Sequence, residues 1–598
     1  MKLSRLYSNQ ADLFDTIDFN PGLNVVLAEI RLPENQDKDT HNLGKTTVGT
    51  LIDFCLLSGR DPKMFLYKHA QRFQNFVFYL EVELPSGAYV TIRRSVLTPT
   101  RISFKRHLSA GQNFTDLSDD LWDHLDVAFD RSRQILDGLL DLTGFSPWHY
   151  RKGLGYMLRS QEDYRDVFQL NRFAAAHSDW KPFIAHMLGF DSQLIESYYE
   201  METKVDELRG KEATLQRELG GSIEDLSKVE GMLLLKEKRA IERQTLLDSF
   251  DFRSQDKDQT KQLVDEVDEQ IAALNGERYS LMHSRRKVTA SLDEGQMFFD
   301  PDDAAKLFGE VGVYFGGQLK HDFEQLIAFN KAITEERRGY LLEEKAEIDL
   351  RLRAISAELN RLGKRRSEGL AFLKDSTAIE KYKSASQELV QLQADVIALK
   401  RQRETLQAMH RLRAEIRDAA AAAGVLEVAL EREFDEKNDS RSEGVYTEIR
   451  VRFDAIVKAV LDQNALLTVS LNQAHHPDFD AQILDETGRE TSAQRGHTYQ
   501  KLLCIAFDLA LLRTHLGAGF PKFVYHDGVF ESLDRRKKTN LVAEIRENVA
   551  AGIQQIITLI DTDMPPAVDG EPPFTDDEIV VRLHDEGEDG RLFKMASW

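Results

Sequence analysis

The chain of 598 residues carries 78 Lys and Arg against 100 Asp and Glu, and 42% of its residues are apolar. That length exceeds one hydrophobic core, so it predicts two to four structural units. The net charge of −22 excludes a protein that coats DNA or a membrane with its whole surface, although a local basic groove stays compatible with it.

Cysteine content and hydropathy argue against a disulfide-rich, secreted or membrane-spanning protein. The two cysteines, Cys55 and Cys504, lie in apolar runs and cannot build a disulfide framework or a Cys-x-x-Cys zinc site. No stretch approaches ~18 uncharged apolar residues, and the N-terminus lacks the apolar core of a signal peptide. We therefore expect a cytoplasmic protein of a reducing compartment that has no membrane partner.

The N-terminal segment predicts two strands, at residues 14–19 and 22–28, followed by a polar loop and an apolar helix. Strand, loop, Gly-Lys-Thr-Thr and helix is the order of a P-loop, in which backbone N–H groups cradle phosphates. Lys45 would neutralise the β and γ oxygens, and the Thr46 hydroxyl would hold Mg²⁺. Asp39 replaces the first glycine of the pattern, and Gly-Lys-Thr alone is also common in solvated turns. The ATP-binding residues predicted here are Asn42, Leu43, Gly44, Lys45, Thr46 and Thr47.

The middle of the chain predicts a helical insertion, because it contains long proline-free spans rich in good helix formers. Apolar residues recur at steps of four and three from Met201 to Leu233 and again from Leu341 to Leu406, which is typical of a coiled coil. The alternative is a long helix inside a globular bundle. Pro301 and Gly316-Gly317 interrupt the repeat.

We predict an antiparallel hairpin whose arms each reach ~150 Å. Its parts are an N-terminal ATPase lobe 1–193, an ascending arm 194–291, an apex knob 292–330, a descending arm 331–440 and a C-terminal ATPase lobe 441–598.

The C-terminal lobe contains an apolar strand, Phe520–Asp527, which ends in a carboxylate. The strand and the loop after it have the form of a Walker B element. Asp527 could bind Mg²⁺ through water opposite Thr46, and Asp534 closes the Glu-Ser-Leu-Asp sequence and is assigned to ATP binding. The alternative is a buried strand that ends in a capping Asp.

Two lobes joined by a folded-back coiled coil resemble the SMC and double-strand-break-repair ATPases of the ABC superfamily, which indicates an α/β ABC-type head. The segments NLGKTTVGTLIDFCLL, LLCIAFDLALLRTH, FVYHDGVFESLD, the stretch from Gln554 to Asp563 and the ending GRLFKM resemble more closely the SMC-like ATPase of bacterial ABC three-component antiviral systems, the Lamassu type. This resemblance implies ATP, Mg²⁺, a homodimer through the heads, a small middle subunit, an effector that is often a nuclease, and DNA recognition.

The resemblance also implies roles for three further residues. Gln161 matches the glutamine that contacts Mg²⁺ and the attacking water, although it could equally be a polar surface residue. Residues 491–499 match a diverged signature motif, in which Gly496 and Thr498 would face ATP held by another subunit.

The expected general base is missing, because Gly528 stands where most ABC ATPases carry Glu after the Walker B Asp. The usual switch His is absent too, since Thr558–Asp561 occupies its region. His526, Glu531 and Asp561 remain alternative bases. We expect slow turnover, and we expect Gly528→Glu to accelerate it.

Three functions remain open from the sequence. The first is an SMC-like ATPase that senses DNA in antiviral or plasmid defence, the second is a DNA-repair ATPase that partners a nuclease, and the third is a coiled-coil scaffold with a decayed nucleotide site. Basic clusters are candidate DNA contacts, although such charges also merely solvate helix surfaces. They are Arg285-Arg286-Lys287, Lys364-Arg365-Arg366, Lys400-Arg401-Arg403 and Arg535-Arg536-Lys537-Lys538.

Overall fold

The computed structural model describes residues 1–32, 43–170, 177–218, 225–249, 257–294, 317–371, 376–439, 441–485, 496–517, 519–568 and 570–596. It divides into two compact units, the first formed by Met1–Met201 with Ala422–Trp598 and the second by Glu202–Ala421. Within the described ranges, no helix is long and apolar enough to span a bilayer.

The strands of the first unit are β1 (Lys2–Ser8), β2 (Ile17–Asp18), β3 (Leu23–Glu29), β4 (Val77–Glu83), β5 (Tyr89–Ser95), β6 (Arg101–His107), β7 (His124–Ala128), β8 (Leu158–Arg159), β9 (Asn464–Leu471), β10 (Pro477–Leu484), β11 (Phe523–His526), β12 (Gln554–Ile560) and β13 (Ile579–His584). The α-helices of the described ranges are α1 (Lys45–Cys55), α2 (Phe65–Lys68), α3 (Ala70–Phe73), α4 (Phe129–Leu140), α5 (Tyr150–Met157), α6 (His177–Met187), α7 (Ser192–Glu218), α8 (Leu226–Asp248), α9 (Lys257–Glu294), α10 (Gly317–Ala371), α11 (Ser376–Asn438), α12 (Val445–Leu461), α13 (His497–Thr514) and α14 (Arg535–Ala550).

A parallel sheet forms the centre of the first unit, with strand order β13-β3-β12-β11-β8. Strands β3 and β8 come from the N-terminal part of the chain, and the other three come from the C-terminal part. The two parts therefore complete one sheet between them, with Val25 opposite Ile557 and Tyr525 opposite Leu158. Because all five strands run the same way, the loops that follow β3, β8 and β11 lie at one edge of the sheet.

The first unit also contains an antiparallel sheet of order β2-β1-β4-β5-β6-β7 and the hairpin β9-β10. An aromatic cluster connects the C-terminal tail to this sheet. Phe593 is fully buried, and its ring contacts those of Phe14, Phe73, Phe76 and Phe78. The end of the described chain is thus part of the hydrophobic core.

A buried ion pair joins the two parts of the chain beneath the parallel sheet. Arg159, at the end of β8, donates from Nε and Nη2 to the two carboxylate oxygens of Asp508 on α13, at 2.7 and 2.8 Å. Neither side chain is exposed. Burial lowers the pKa of Arg159, but the Asp508 carboxylate outweighs this effect and raises it, so the guanidinium is charged.

In the second unit, α8 and α11 run in opposite directions. Ion pairs join Lys236 to Asp395 at 2.7 Å and Arg243 to Glu388 at 2.9 Å. Residues further along α8 therefore pair with residues earlier in α11. The contact between Val229 and Leu406 fits the same antiparallel order. The antiparallel hairpin that we predicted for the insertion pairs these two segments in the same relative direction.

Helix α9 reverses direction relative to α8. It is antiparallel to α10, because Asp268 pairs with Arg366 at 2.8 Å and Arg285 pairs with Asp349 at 2.6 Å. It is parallel to α11, because Asp268 also accepts a hydrogen bond from Ser386, whereas Gly276 lies beside Ile397.

The insertion therefore differs from the single long hairpin that we predicted with arms at 194–291 and 331–440. Helices α8, α9, α10 and α11 alternate in direction and pack side by side as a folded-back bundle. The heptad stripes find covering helices, but a stripe does not specify the direction of its partner. Most of the predicted apex knob, residues 295–316, lies outside the described residues.

Asp508→Ala should destabilise the first unit by about 3–5 kcal/mol, because it leaves the charge of Arg159 buried without a counter-charge. Urea unfolding followed by tryptophan fluorescence measures this unit alone, since Trp122, Trp148, Trp180 and Trp598 all belong to it. Glu436→Ala, which removes the exposed partner of Arg432, is the control and should cost less than about 0.5 kcal/mol. Equal effects of the two variants would contradict the buried pair.

The bundle can be tested with the double variant Gly276→Cys and Ile397→Cys. A short bismaleimide should crosslink the two positions, which adjoin in the bundle but would lie far apart along a single hairpin. The native cysteines, Cys55 and Cys504, are buried and should not react in the folded chain. Mass spectrometry of tryptic peptides identifies the crosslink, and each single variant is its control. Absence of the linked peptide would support the long hairpin.

Candidate functional site

The predicted P-loop helix begins as expected at one edge of the parallel sheet. Helix α1 starts at Lys45, and Gly44 precedes it with φ +100°. A Cβ at position 44 would lie 2.8 Å from the Cβ of Leu592, so both the backbone angle and the close packing require glycine. Leu43 is buried, and its carbonyl accepts a hydrogen bond from the N–H of Leu592. The C-terminal tail thus fixes the start of α1.

Three predicted residues from distant parts of the sequence meet beside this helix start. The ammonium of Lys45 lies 3.0 Å from Oε1 of Glu531, although 486 positions separate the two residues. The side-chain amide of Gln161 donates to the same oxygen at 2.8 Å. Lys45 is almost completely buried, whereas 29% of the Glu531 side chain is exposed. Glu531 therefore holds a buried cation and an amide at the rim of the site.

Asp527 lies at the end of β11 in the same cluster and is fully buried. Its Oδ1 accepts a hydrogen bond from the Thr558 hydroxyl, but its Oδ2 has no hydrogen-bond partner among the described residues. Burial raises the pKa of Asp527, while the Thr558 and Thr46 hydroxyls and the Lys45 ammonium lower it. A buried carboxylate oxygen without a partner is costly, so this atom is suited to meet a cation.

Gly528 does not simply lack a catalytic side chain. Its φ is +63°, and a Cβ there would lie 2.6 Å from the amide nitrogen of Gln161 and 2.8 Å from the Glu531 carboxylate. Glu531 thus already fills the space beside residue 528. A side chain at position 528 would have to displace the ends of these two side chains and adopt a φ that L-residues rarely take, so Gly528→Glu would introduce strain together with a carboxylate, and its faster turnover stays a prediction.

Lys501 on α13 holds the loop that carries Glu531. Its ammonium donates to the carbonyl oxygens of Gly528 and Glu531 at 2.9 and 2.8 Å, and only 1% of the residue is exposed. Burial lowers the pKa of Lys501 to about 8. Our sequence analysis missed this residue. A signal was present, since Lys501 and Asp508 lie two helical turns apart on one side of the stretch 501–512, which is otherwise apolar.

Arg159 holds the loop on the other side, which carries Gln161. Besides Asp508, it donates to the carbonyl oxygens of Asp163, Asp166 and Val167 at 2.9–3.1 Å. These bonds close the chain around the short helix Gln161–Arg165. The position of Gln161 thus depends on a buried charge that the sequence analysis did not consider.

Two alternative bases lie elsewhere. His526 is buried, and its Nε2 lies 3.1 Å from Asp508, on the opposite side of β11 from Asp527. Asp561 accepts a hydrogen bond from the N–H of Ile30 and so closes the end of β3. Each side chain therefore has a structural partner away from the cluster of Lys45, Gln161 and Glu531.

The remaining predicted residues are on helix starts. Asp534 caps α14 by accepting from the N–H of Lys537 at 3.0 Å, and this bond lowers its pKa. Gly496 precedes α13, and Thr498 is partly exposed in its first turn. Thr46 is exposed and Thr47 is partly exposed in the first turn of α1. Asn42 and most of the signature-like stretch, 491–495, lie outside the described residues.

Lys501→Met should loosen the loop 528–534, because two hydrogen bonds from a charged donor are lost and each contributes about 1.5–3 kcal/mol. Hydrogen–deuterium exchange should show faster uptake in this loop and little change in the antiparallel sheet. Lys522→Met, at an exposed position beside the same strand, is the control and should leave uptake unchanged. Unchanged exchange in Lys501→Met would mean that the loop is held by other contacts.

Comparison with known proteins gives a partial match. A family described as an uncharacterised protein conserved in bacteria (DUF2326) matches residues 456–597. The Smc head domain with a coiled coil and joint derived from Pyrococcus yayanosii is similar, with 15% identity, 94% of this chain and 92% of that chain covered, and a TM-score of 0.34. The Smc head domain with an extended coiled coil bound to the C-terminal domain of ScpA, derived from Pyrococcus furiosus, is 11% identical. The match covers 94% of this chain and 90% of that chain, with a TM-score of 0.29. No curated protein matches this chain.

Proposed function

We propose that this chain is an SMC-like ATP-binding switch whose head binds and slowly hydrolyses ATP. The observation that carries the proposal is the convergence of Lys45, Gln161, Asp527 and Glu531 beside the start of α1. Three separate loops supply them at one edge of a parallel sheet, which is where nucleotides bind in such folds. A scaffold with a decayed site would have no reason to keep this cluster.

The ion pair between Lys45 and Glu531 suits a phosphate-responsive switch. A bound triphosphate would compete for the Lys45 ammonium, since it carries more negative charge than the single carboxylate of Glu531. Glu531 would then be released while Gln161 still lies beside it. A free carboxylate next to the terminal phosphate can orient and deprotonate a water molecule.

The residues also suit Mg²⁺. Asp527 offers a buried carboxylate oxygen that lacks a hydrogen-bond partner, Thr46 offers a hydroxyl beside it, and Gln161 offers an amide oxygen. Hard cations prefer such oxygen ligands, and Mg²⁺ in nucleotide sites takes its other ligands from phosphate and water. When bound, the ion would balance the phosphate charge. It would also give the unpartnered oxygen of Asp527 a favourable contact.

We assign the general base to Glu531 rather than to His526 or Asp561. Glu531 alone of the three contacts Lys45 and Gln161. Its three-residue displacement from the usual position, together with its ion pair in the absence of nucleotide, explains why we expect slow hydrolysis. Gly528 remains glycine because the loop turns there with positive φ.

The proposed active form is a homodimer through the heads. Each chain supplies one P-loop and one α13 start, and Gly496 and Thr498 are accessible there to a nucleotide held by a second copy. Asp534 at the start of α14 would lie in the same interface. By its sequence resemblance, the chain would act in the cytoplasm in antiviral or plasmid defence, with DNA as the signal and a small subunit and a nuclease as partners. Co-purification with the products of neighbouring genes tests this assignment against DNA repair.

Lys45→Ala should reduce ATP affinity at least about tenfold, because the buried counter-charge of the phosphates is removed. Isothermal titration with ATP and Mg²⁺ measures the loss. Lys594→Ala removes an ammonium that pairs with Asp15 on the surface and is the matched control, with unchanged affinity. Equal affinity of Lys45→Ala and wild type would exclude this ATP site.

Glu531→Gln should keep ATP binding but slow hydrolysis about 10²–10⁴-fold, the usual effect of losing a general base. The trapped ATP complex should accumulate as a dimer in light scattering. Glu547→Gln, an exposed glutamate on α14, should behave as wild type. If Glu531→Gln hydrolysed ATP at the wild-type rate, another residue would be the general base.

A further inference from the structure

A basic cavity of about 560 Å³ lies between the helices of the second unit. The end of α7, the second half of α9 and the middle of α11 line it, and it is open to solvent, since Arg217, Arg286 and Arg401 are exposed. Its lining residues are Arg217, Tyr279, Ser280, His283, Ser284, Arg286, Lys287, Ala290, Ala398, Arg401, Gln402 and Thr405. Two basic clusters that lie more than a hundred residues apart in the sequence therefore face one space.

The charge of this lining has one sign. Four of the lining residues are Lys or Arg, one is His and none is Asp or Glu, although acidic residues outnumber basic ones in the whole chain. Arg217, Arg286 and Arg401 make no ion pair with any residue in the described ranges. Like charges that face one cavity repel each other, and the repulsion is relieved when an anion binds between them.

Neighbouring basic residues are used differently. Arg285 pairs with Asp349 on α10, and Lys400 pairs with Glu237 on α8 at 2.9 Å. These two residues form exposed ion pairs between helices, while the next residue of each cluster, Arg286 or Arg401, lines the cavity. Adjacent residues of each cluster therefore have different neighbours.

We propose that this cavity binds the phosphate of a nucleotide, either free or at the end of a nucleic-acid strand. Arginine forks and lysine suit phosphate oxygens, Ser280, Ser284 and Gln402 supply further polar groups, and the exposed Tyr279 ring can stack on a base. The volume falls within the ~300–1,000 Å³ of small-ligand sites, whereas duplex DNA needs an open surface of ~1,000–2,500 Å². All lining residues belong to the second unit, so this site does not rest on the ATP site proposed for the head.

The test uses the full chain carrying Lys45→Ala, so that binding at the head contributes little. Two probes distinguish the sources of the nucleotide: fluorescent mant-ATP, and fluorescein-labelled decathymidylate with a 5′-phosphate. Adding Arg286→Gln and Arg401→Gln should lower the affinity for whichever probe binds by at least about tenfold, as measured by fluorescence anisotropy. Tyr279→Ala should weaken it as well without changing the net charge.

The matched control is Lys364→Gln with Arg365→Gln, which removes the same charge from exposed positions of α10 and should change affinity less than about twofold. Because all these side chains are exposed, circular dichroism should show unchanged folding. Equal weakening by both double variants, binding of a duplex alone, or no binding of either probe would overturn the proposal. The head is judged separately, by ATP binding of the chain with and without Lys45→Ala.

Discussion

The buried charge of Arg159 constrains both the packing of the first unit and one side of the candidate site. It needs Asp508 because an unpaired guanidinium in the core would cost several kcal/mol, and Asp508 needs α13 to lie directly beneath β8 and β11. The remaining donors of Arg159 close the loop of Gln161. One ion pair thus joins the N-terminal and C-terminal parts of the head and fixes one side of the candidate site.

Helix α13 fixes the other side through Lys501. Since Lys501 and Asp508 face the same side of the helix, a single rigid element holds both the loop of Glu531 and, through Arg159, the loop of Gln161. The first turn of the same helix carries Gly496 and Thr498. In the proposed dimer, a contact made there by the nucleotide of the second copy would act on the helix that positions the catalytic groups. In that proposal, α13 would connect dimerisation to hydrolysis.

The sequence allowed the local parts of this site to be predicted, and it did not allow the long-range ones. Lys45 and Asp527 follow from short patterns of strand, loop and helix, which need no knowledge of distant residues. The contact of Lys45 with Glu531 and the anchoring by Lys501 depend on side chains that meet only in the folded head. The reversal of α9 was missed for a similar reason, since a heptad stripe such as that of α8 shows that a helix is covered but not from which direction.

The basic clusters show how far a run of like residues can mislead. Successive residues on a helix point about 100° apart, so a basic triplet cannot present all its charges to one ligand. Arg285 accordingly pairs with Asp349 on α10 while Arg286 lines the cavity, and Arg366 pairs with Asp268 while Arg365 is exposed. The charges that are left over gain importance only because the folded-back bundle brings two of the clusters together. A single long hairpin would have kept them apart, and so the direction of α9 decides whether this chain has a basic cavity at all.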